Sequence, residues 1–94
     1  MEKLVVIPTF NEKENISNIL HAIFNLNDGF HVLVIDDASP DGTAQLVKEL
    51  QPGFPAQLFI EERTGKQGLG TAYIQGFKWA IAKGYQFIFE MDAD

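Results

Sequence analysis

His31-Val32-Leu33-Val34-Ile35-Asp36-Asp37 is an apolar run that stops abruptly on two carboxylates. Val, Leu and Ile follow one another without polar alternation, the pattern of a strand buried on both faces. Such strands belong to parallel sheets, where helices cover both faces and ligands gather at the carboxyl ends. The flanking sequence has to supply those helices, and it does.

Upstream, Ile16, Ile19, Leu20, Ile23 and Phe24 recur at i, i+3, i+4, i+7 and i+8, one apolar helical stripe. Asn11 predicts the N-cap, with Glu14 as its capping-box partner, and Asp28-Gly29 the close. Before this helix, Leu4-Val5-Val6-Ile7 reads as a second buried strand. Pro8, with no N–H for the ladder, is expected to end its pairing.

Downstream, Ser39-Pro40-Asp41-Gly42-Thr43 is a turn with a helix-start signature, a capping Ser or Asp and Pro at the first helical position. Leu46, Val47 and Leu50 give the helix after it a short apolar face. Pro52, Gly53 and Pro55 break the chain before a strand over residues 57–61. A glycine loop, Gly65-Lys66-Gln67-Gly68-Leu69-Gly70, leads to a third helix over residues 70–83. Ile74, Phe77 and Ile81 are expected on its buried side and Gly84 at a left-handed C-cap. A fourth, buried strand lies in residues 85–91 and ends in Asp92-Ala93-Asp94. The order is βαβαβαβ, which implies a parallel sheet with right-handed crossovers.

Ninety-four residues allow one small domain, and 46% apolar with 21% charged residues is ordinary for a globular chain. A net charge of −6 argues against nucleic-acid binding as the main task. The absence of cysteine rules out disulfides and thiolate metal sites. No apolar run is long enough to span a bilayer, and no signal peptide is evident. These features predict a soluble protein, or the soluble front end of a longer one.

The polar residues collect where the strands end: Pro8 to Glu12 after the first, Asp36 and Asp37 after the second, Asp92 and Asp94 after the fourth. Five carboxylates are thereby expected on one rim, and their repulsion calls for a cation or hydrogen-bond donors. Carboxylates suit Mg²⁺ or Mn²⁺, which keep positions open for phosphate oxygens and water. Taken singly, each has a plainer reading: Asp36-Asp37 as a turn, Glu14 as an acid favoured by the helix dipole. Gly68-Leu69-Gly70 lacks the third glycine of a dinucleotide fingerprint and follows the third strand, which excludes a Rossmann NAD site. Gly65-Lys66-Gln67 lacks the Ser/Thr of a P-loop. Arg63 and Lys66 read equally as phosphate neutralisers or as solvated loop residues. His21 and His31 have no metal-ligand partners at suitable spacing and read as structural.

Pro8-Thr9-Phe10-Asn11-Glu12, Ile35 to Thr43, Lys66 to Tyr73 and Glu90 to Asp94 resemble, in order and spacing, the family 2 glycosyltransferases of GT-A fold. Within that family the chain is most similar to the dolichol- and polyprenol-phosphate mannosyltransferases. The resemblance implies a three-layer, Rossmann-like nucleotide-diphospho-sugar transferase half-domain with four parallel strands in the order 3-2-1-4. It implies transfer of a sugar, mannose from GDP-mannose, to a polyprenyl or dolichyl phosphate with inversion. The alternatives are a UDP-sugar donor, or a nucleotide-binding fragment without catalysis. By analogy Pro8, Phe10, Glu12, Ile35, Asp37, Gln67, Asp92 and Ala93 hold the nucleotide-sugar, and Asp92 and Asp94 the Mg²⁺ or Mn²⁺. Phe10 stands where the family usually has Tyr, and Ala38 where it often has Asn. Residues 1–94 are expected to be the nucleotide-binding half of the domain, cut after the Asp-x-Asp, with catalytic residues beyond Asp94. The expected location is cytoplasmic, or peripheral at the cytoplasmic face of a membrane. Strand four would then be an uncovered edge, open to self-association.

Overall fold

The computed structural model describes residues 2–65 and 67–93. In chain order these form β1 (Lys3–Thr9), α1 (Lys13–Phe24), β2 (Phe30–Asp36), α2 (Thr43–Leu50), β3 (Leu58–Glu62), α3 (Leu69–Ala82) and β4 (Phe87–Glu90). A 3₁₀ turn, Gln51–Gly53, links α2 to the segment before β3. All strand pairs are parallel and the order is β3-β2-β1-β4, as the alternation and the resemblance predict.

Strand pleating sends successive side chains to opposite faces, so the sheet carries two cores. Val5, Ile7, Val32 and Val34 pack under Ile16, Leu20 and Ile23 of α1 and Val47 of α2. Leu4, Val6, Leu33 and Ile35 pack under Ala72 and Ala80 of α3. The two central strands are thus covered on both faces, which is why they read as unbroken apolar runs.

Five expectations fail. Pro8 does not end β1: the strand runs to Thr9, with Pro8 opposite Ile35 of β2. The backbone of Val6 faces β4, since its carbonyl accepts from Met91 N–H at 3.1 Å. Pro8, two residues on, faces the same way, beyond the last β1–β4 pair, Val6 with Glu90. Its missing N–H is therefore asked of no one.

Asn11 is not the N-cap of α1. Glu12 occupies that position without a side-chain cap bond, and Asn11 has a left-handed backbone with φ 57°. Nor is Pro40 the first residue of α2, which begins at Thr43 behind Gly42. Asp41 lies just outside and accepts from Thr43 N–H at 3.0 Å.

The buried face of α3 is Ala72, Gly76 and Ala80, not Ile74, Phe77 and Ile81. At 100° per residue Ile74 and Ile81 lie about 200° and 180° around the helix from Ala72. They are 54% and 68% exposed, with Phe77 partly buried. The small stripe lets α3 settle onto β1, and a Cβ added at Gly76 would overlap Val6 Cγ1. Past the helix, Gly84 N–H bonds Ile81 O and Tyr85 N–H bonds Ala80 O, the left-handed close predicted at Gly84.

Finally, β4 is not buried. Among the described residues its only neighbour in the sheet is β1, and Phe87 and Phe89 are 45% and 44% exposed. It is the uncovered edge that the order 3-2-1-4 requires.

Candidate functional site

Parallel register brings the carboxyl ends of the strands to one rim. Thr9 pairs with Asp36, and Glu90 lies opposite Val6, so the chain after each strand turns out over the same edge. A cleft of about 240 Å³ opens there, walled by Pro8 to Phe10 and Glu12, by Asp37, by Gly68-Leu69 and by Asp92.

Of the residues expected to hold a nucleotide-sugar, Pro8, Phe10, Glu12, Asp37 and Asp92 line this cleft together. Ile35 is fully buried on the α3 side of the sheet, and Ala93 is buried in the core on the other side. Neither side chain lines the cleft. Gln67 adjoins it through its backbone, whose N–H donates to Asp37 Oδ2 at 3.1 Å. Asp94, expected as a metal ligand, and Lys66 lie outside the described residues.

Asp36 and Asp37 have separate fates. Asp36 is buried and accepts from the Thr9 hydroxyl at 2.6 Å, the Ser39 hydroxyl at 2.6 Å and Ser39 N–H at 3.0 Å. It ties the end of β1 to the loop after β2 and does not join the cleft. Asp37 faces the cleft and is held from behind by Arg63, whose Nε donates to Oδ1 at 2.6 Å and Nη2 to Oδ2 at 3.0 Å. The two side chains are 8% and 4% exposed. Burial alone would raise the Asp37 carboxyl. The Arg63 and Gln67 hydrogen bonds, with the guanidinium charge, outweigh it and hold the group below its ordinary 3.8.

Arg63 is therefore neither a phosphate-facing cation nor a solvated loop residue. Its Nη1 donates to Thr71 Oγ1 and its Nη2 to Gly68 O, both at 3.0 Å. One buried guanidinium ties the second strand end, the glycine loop and the first turn of α3 together. A single sequence offers no sign of this, because a loop arginine after a strand is most often exposed.

The expected repulsion on the rim is thus relieved in part by the protein itself, with hydroxyls on Asp36 and Arg63 on Asp37. Among the described residues none holds Asp92 in this way. Tyr73 is raised above its usual value by burial first and then by the charges of Asp92 and Glu90, a sign of the negative field at this corner. Among the described residues no three His, Cys, Asp or Glu side chains form a metal cage. One exposed carboxylate beside an open cleft fits an ion that arrives with a diphosphate and keeps its water, which is how Mg²⁺ and Mn²⁺ are usually held.

Thr9, expected on the rim but not assigned to the nucleotide-sugar, lines the cleft with Gly68 and Leu69. Leu69 is 50% exposed, an apolar wall of a kind that periodicity does not mark.

A parallel sheet in the order β3-β2-β1-β4, with helices on both faces and an acidic cleft beyond its carboxyl ends, matches the GT-A glycosyltransferase fold. The sequence model described as Glycosyl transferase family 2 matches residues 4–94, and the chain belongs to that family. It is 46% identical over 91 residues to the polyprenol monophosphomannose synthase of Mycolicibacterium smegmatis, covering 97% of this chain and 34% of that protein. It is 43% identical over 94 residues to the undecaprenyl-phosphate mannosyltransferase of Micrococcus luteus, covering all of this chain and 38% of that one. Among solved structures, the mannosyltransferase PcManGT from Pyrobaculum calidifontis in complex with GDP-Man and Mn²⁺ matches with a TM-score of 0.86 at 29% identity. That match covers 99% of this chain and 27% of the other. The chain spans about a third of the length of the curated relatives it matches.

Proposed function

We propose that this chain is the donor-binding half of a glycosyltransferase that moves mannose from GDP-mannose to a polyprenyl or dolichyl phosphate, inverting the anomeric carbon. The observation that carries the reading is the convergence of Pro8, Phe10, Glu12, Asp37 and Asp92 on one cleft, in a chain 46% identical to a polyprenol monophosphomannose synthase.

Phe10 offers a flat apolar face to a base, and Asp37 an acceptor for base N–H groups. Arg63 keeps that acceptor ionised and fixed, so it meets the ligand without first reorganising. Asp92, with Asp94 beyond it, would hold Mg²⁺ or Mn²⁺ on the diphosphate, and the ion supplies charge to offset what develops on the departing nucleotide. In the reaction a phosphate oxygen of the acceptor bonds to the sugar's anomeric carbon as the bond to the nucleoside diphosphate breaks. The acceptor oxygen is already anionic, so this half of the protein need not furnish a strong base.

No helix among the described residues is long and apolar enough to cross a membrane. A lipid-linked acceptor would bring the protein to the cytoplasmic face of one. The chain spans about a third of its curated relatives, and the 94 residues alone are expected to bind nucleotide and transfer nothing.

Calorimetric titration with GDP, UDP and CDP, with and without Mn²⁺, tests the reading. Metal-dependent preference for GDP is expected, weakened by Asp92→Asn. A preference for UDP would move the donor to a UDP-sugar, and binding of none would end the reading. Turnover of GDP-mannose by the 94-residue chain would overturn the division of labour.

A further inference from the structure

The turn that carries Phe10 and Glu12 into the cleft is held by a different part of the chain. It contains Asn11 at φ 57°, a backbone shape that a non-glycine residue adopts at a cost and keeps only when its surroundings enforce it. It also opens α1, whose first N–H groups have no partners within the helix. The N-cap, Glu12, makes no side-chain cap bond of its own.

Three donors there are met from one five-residue segment. Asn11 N–H bonds Ser39 Oγ at 2.9 Å, Glu12 N–H bonds Thr43 Oγ1 at 3.1 Å, and Lys13 N–H bonds Asp41 Oδ2 at 3.1 Å. The acceptors are themselves fixed. The buried Thr43 hydroxyl donates to Asp41 Oδ1, and the Ser39 hydroxyl donates to the buried Asp36, which also takes the Thr9 hydroxyl. Thr9 is therefore pinned on one side of Phe10 and Asn11 on the other, while Glu12 is pinned by its own N–H. Ordinary capping satisfies a helix end from the residue just before it. Here a segment 28 to 31 residues away does so and leaves the residues of the turn facing the cleft.

We propose that Ser39, Asp41 and Thr43 are positioning residues for the ligand cleft, a clamp that holds the 10–12 turn in its binding shape. They line no part of the cleft and act only through Phe10 and Glu12. This rests on the reading of the cleft as a nucleotide site, but its two consequences can be measured apart.

The first is amide hydrogen exchange in the 94-residue chain without ligand. Asp41→Ala and Thr43→Val should speed exchange at residues 11–13 while the amides of β1 and β2 stay protected, with Thr43→Ser restoring protection. Ser39→Ala repeats the test should Thr43→Val fail to fold. The second is affinity for GDP with Mn²⁺, which should fall about threefold to tenfold in Asp41→Ala, the worth of one hydrogen bond. In a Phe10→Ala, Glu12→Ala background the same substitution should leave affinity unchanged while still lowering stability, which a purely structural role would not produce.

Unchanged exchange at residues 11–13 overturns the clamp. So does faster exchange there with GDP affinity intact. If the unsubstituted chain binds no GDP, the nucleotide reading fails, and the exchange result alone decides whether the clamp exists.

Discussion

Arg63 and Asp37 form a buried pair in which neither charge can be spared. Removing one partner of such a pair leaves the other desolvated and alone, at about 3–5 kcal/mol. Arg63→Met should therefore destabilise the chain by that amount in urea unfolding. Arg63→Lys should fall between, since an ammonium cannot fork onto both oxygens and still reach Gly68. The pair also fixes an acid limb. Asp37 has a folded pKa below the 3.8 of an unperturbed carboxyl, so above 3.8 it is ionised in both states and its contribution is complete. As pH falls through 3.8 towards the folded value the unfolded chain takes up the proton first, and stability drops. Melting temperature should fall with pH in this window, and the fall should shrink in Asp37→Asn. The sequence marks Asp37 as a site residue, but it does not disclose Arg63. That role depends on a guanidinium folding back from β3 onto β2, and no local pattern encodes such a contact.

Elements were legible wherever burial is two-sided and the period is clear. The runs Leu4–Ile7 and His31–Ile35, the stripe from Ile16 to Phe24 and the Gly84 close all correspond to what folds. On α3 the largest apolar residues are not the buried ones. Close approach selects the smallest, and Ala72, Gly76 and Ala80 face the sheet while Ile74 and Ile81 face out. This gives a sharp test. Gly76→Ala, which raises helix propensity, should nonetheless destabilise by about 1–3 kcal/mol, because its methyl meets Val6 Cγ1 on a strand that cannot retreat. Val6→Ala should lose stability alone, yet the double variant should recover part of the Gly76→Ala loss. A coupling of zero in that double-mutant cycle would mean that α3 simply shifts. The turns at Asn11 and Ser39–Thr43 depart from their local pattern for a related reason. Each looks like the cap of its own helix, whereas the second segment serves the first across the rim.

At the scale of the molecule, two central strands are enclosed and β3 and β4 are the sheet's edges, with β4 the more exposed of the two. Its edge offers the outward backbone groups of Ile88 and Glu90 beside half-exposed Phe87 and Phe89, the combination that leads to strand pairing between chains. The partner expected for this 94-residue chain is a second copy. Two β4 strands pairing antiparallel about an axis at Phe89 put Phe89 opposite its own copy and Ile88 opposite Glu90. The only charged residue of the strand then never meets its like, and a net charge of −6 per chain opposes association only as far as salt allows. Light scattering should show a mass that climbs from one chain towards two with concentration, and climbs further at high salt. Phe89→Lys should return it to one chain with a modest fall in the melting temperature of the dilute protein, since the ring is 44% exposed and its covered part meets Phe30 edge-on. A mass that stays at one chain at every concentration would show that the edge, open as it is, is too short to hold a partner. Binding of GDP with Mn²⁺ should leave this equilibrium alone, because the cleft lies past the carboxyl ends of the strands and the pairing runs along the side of β4.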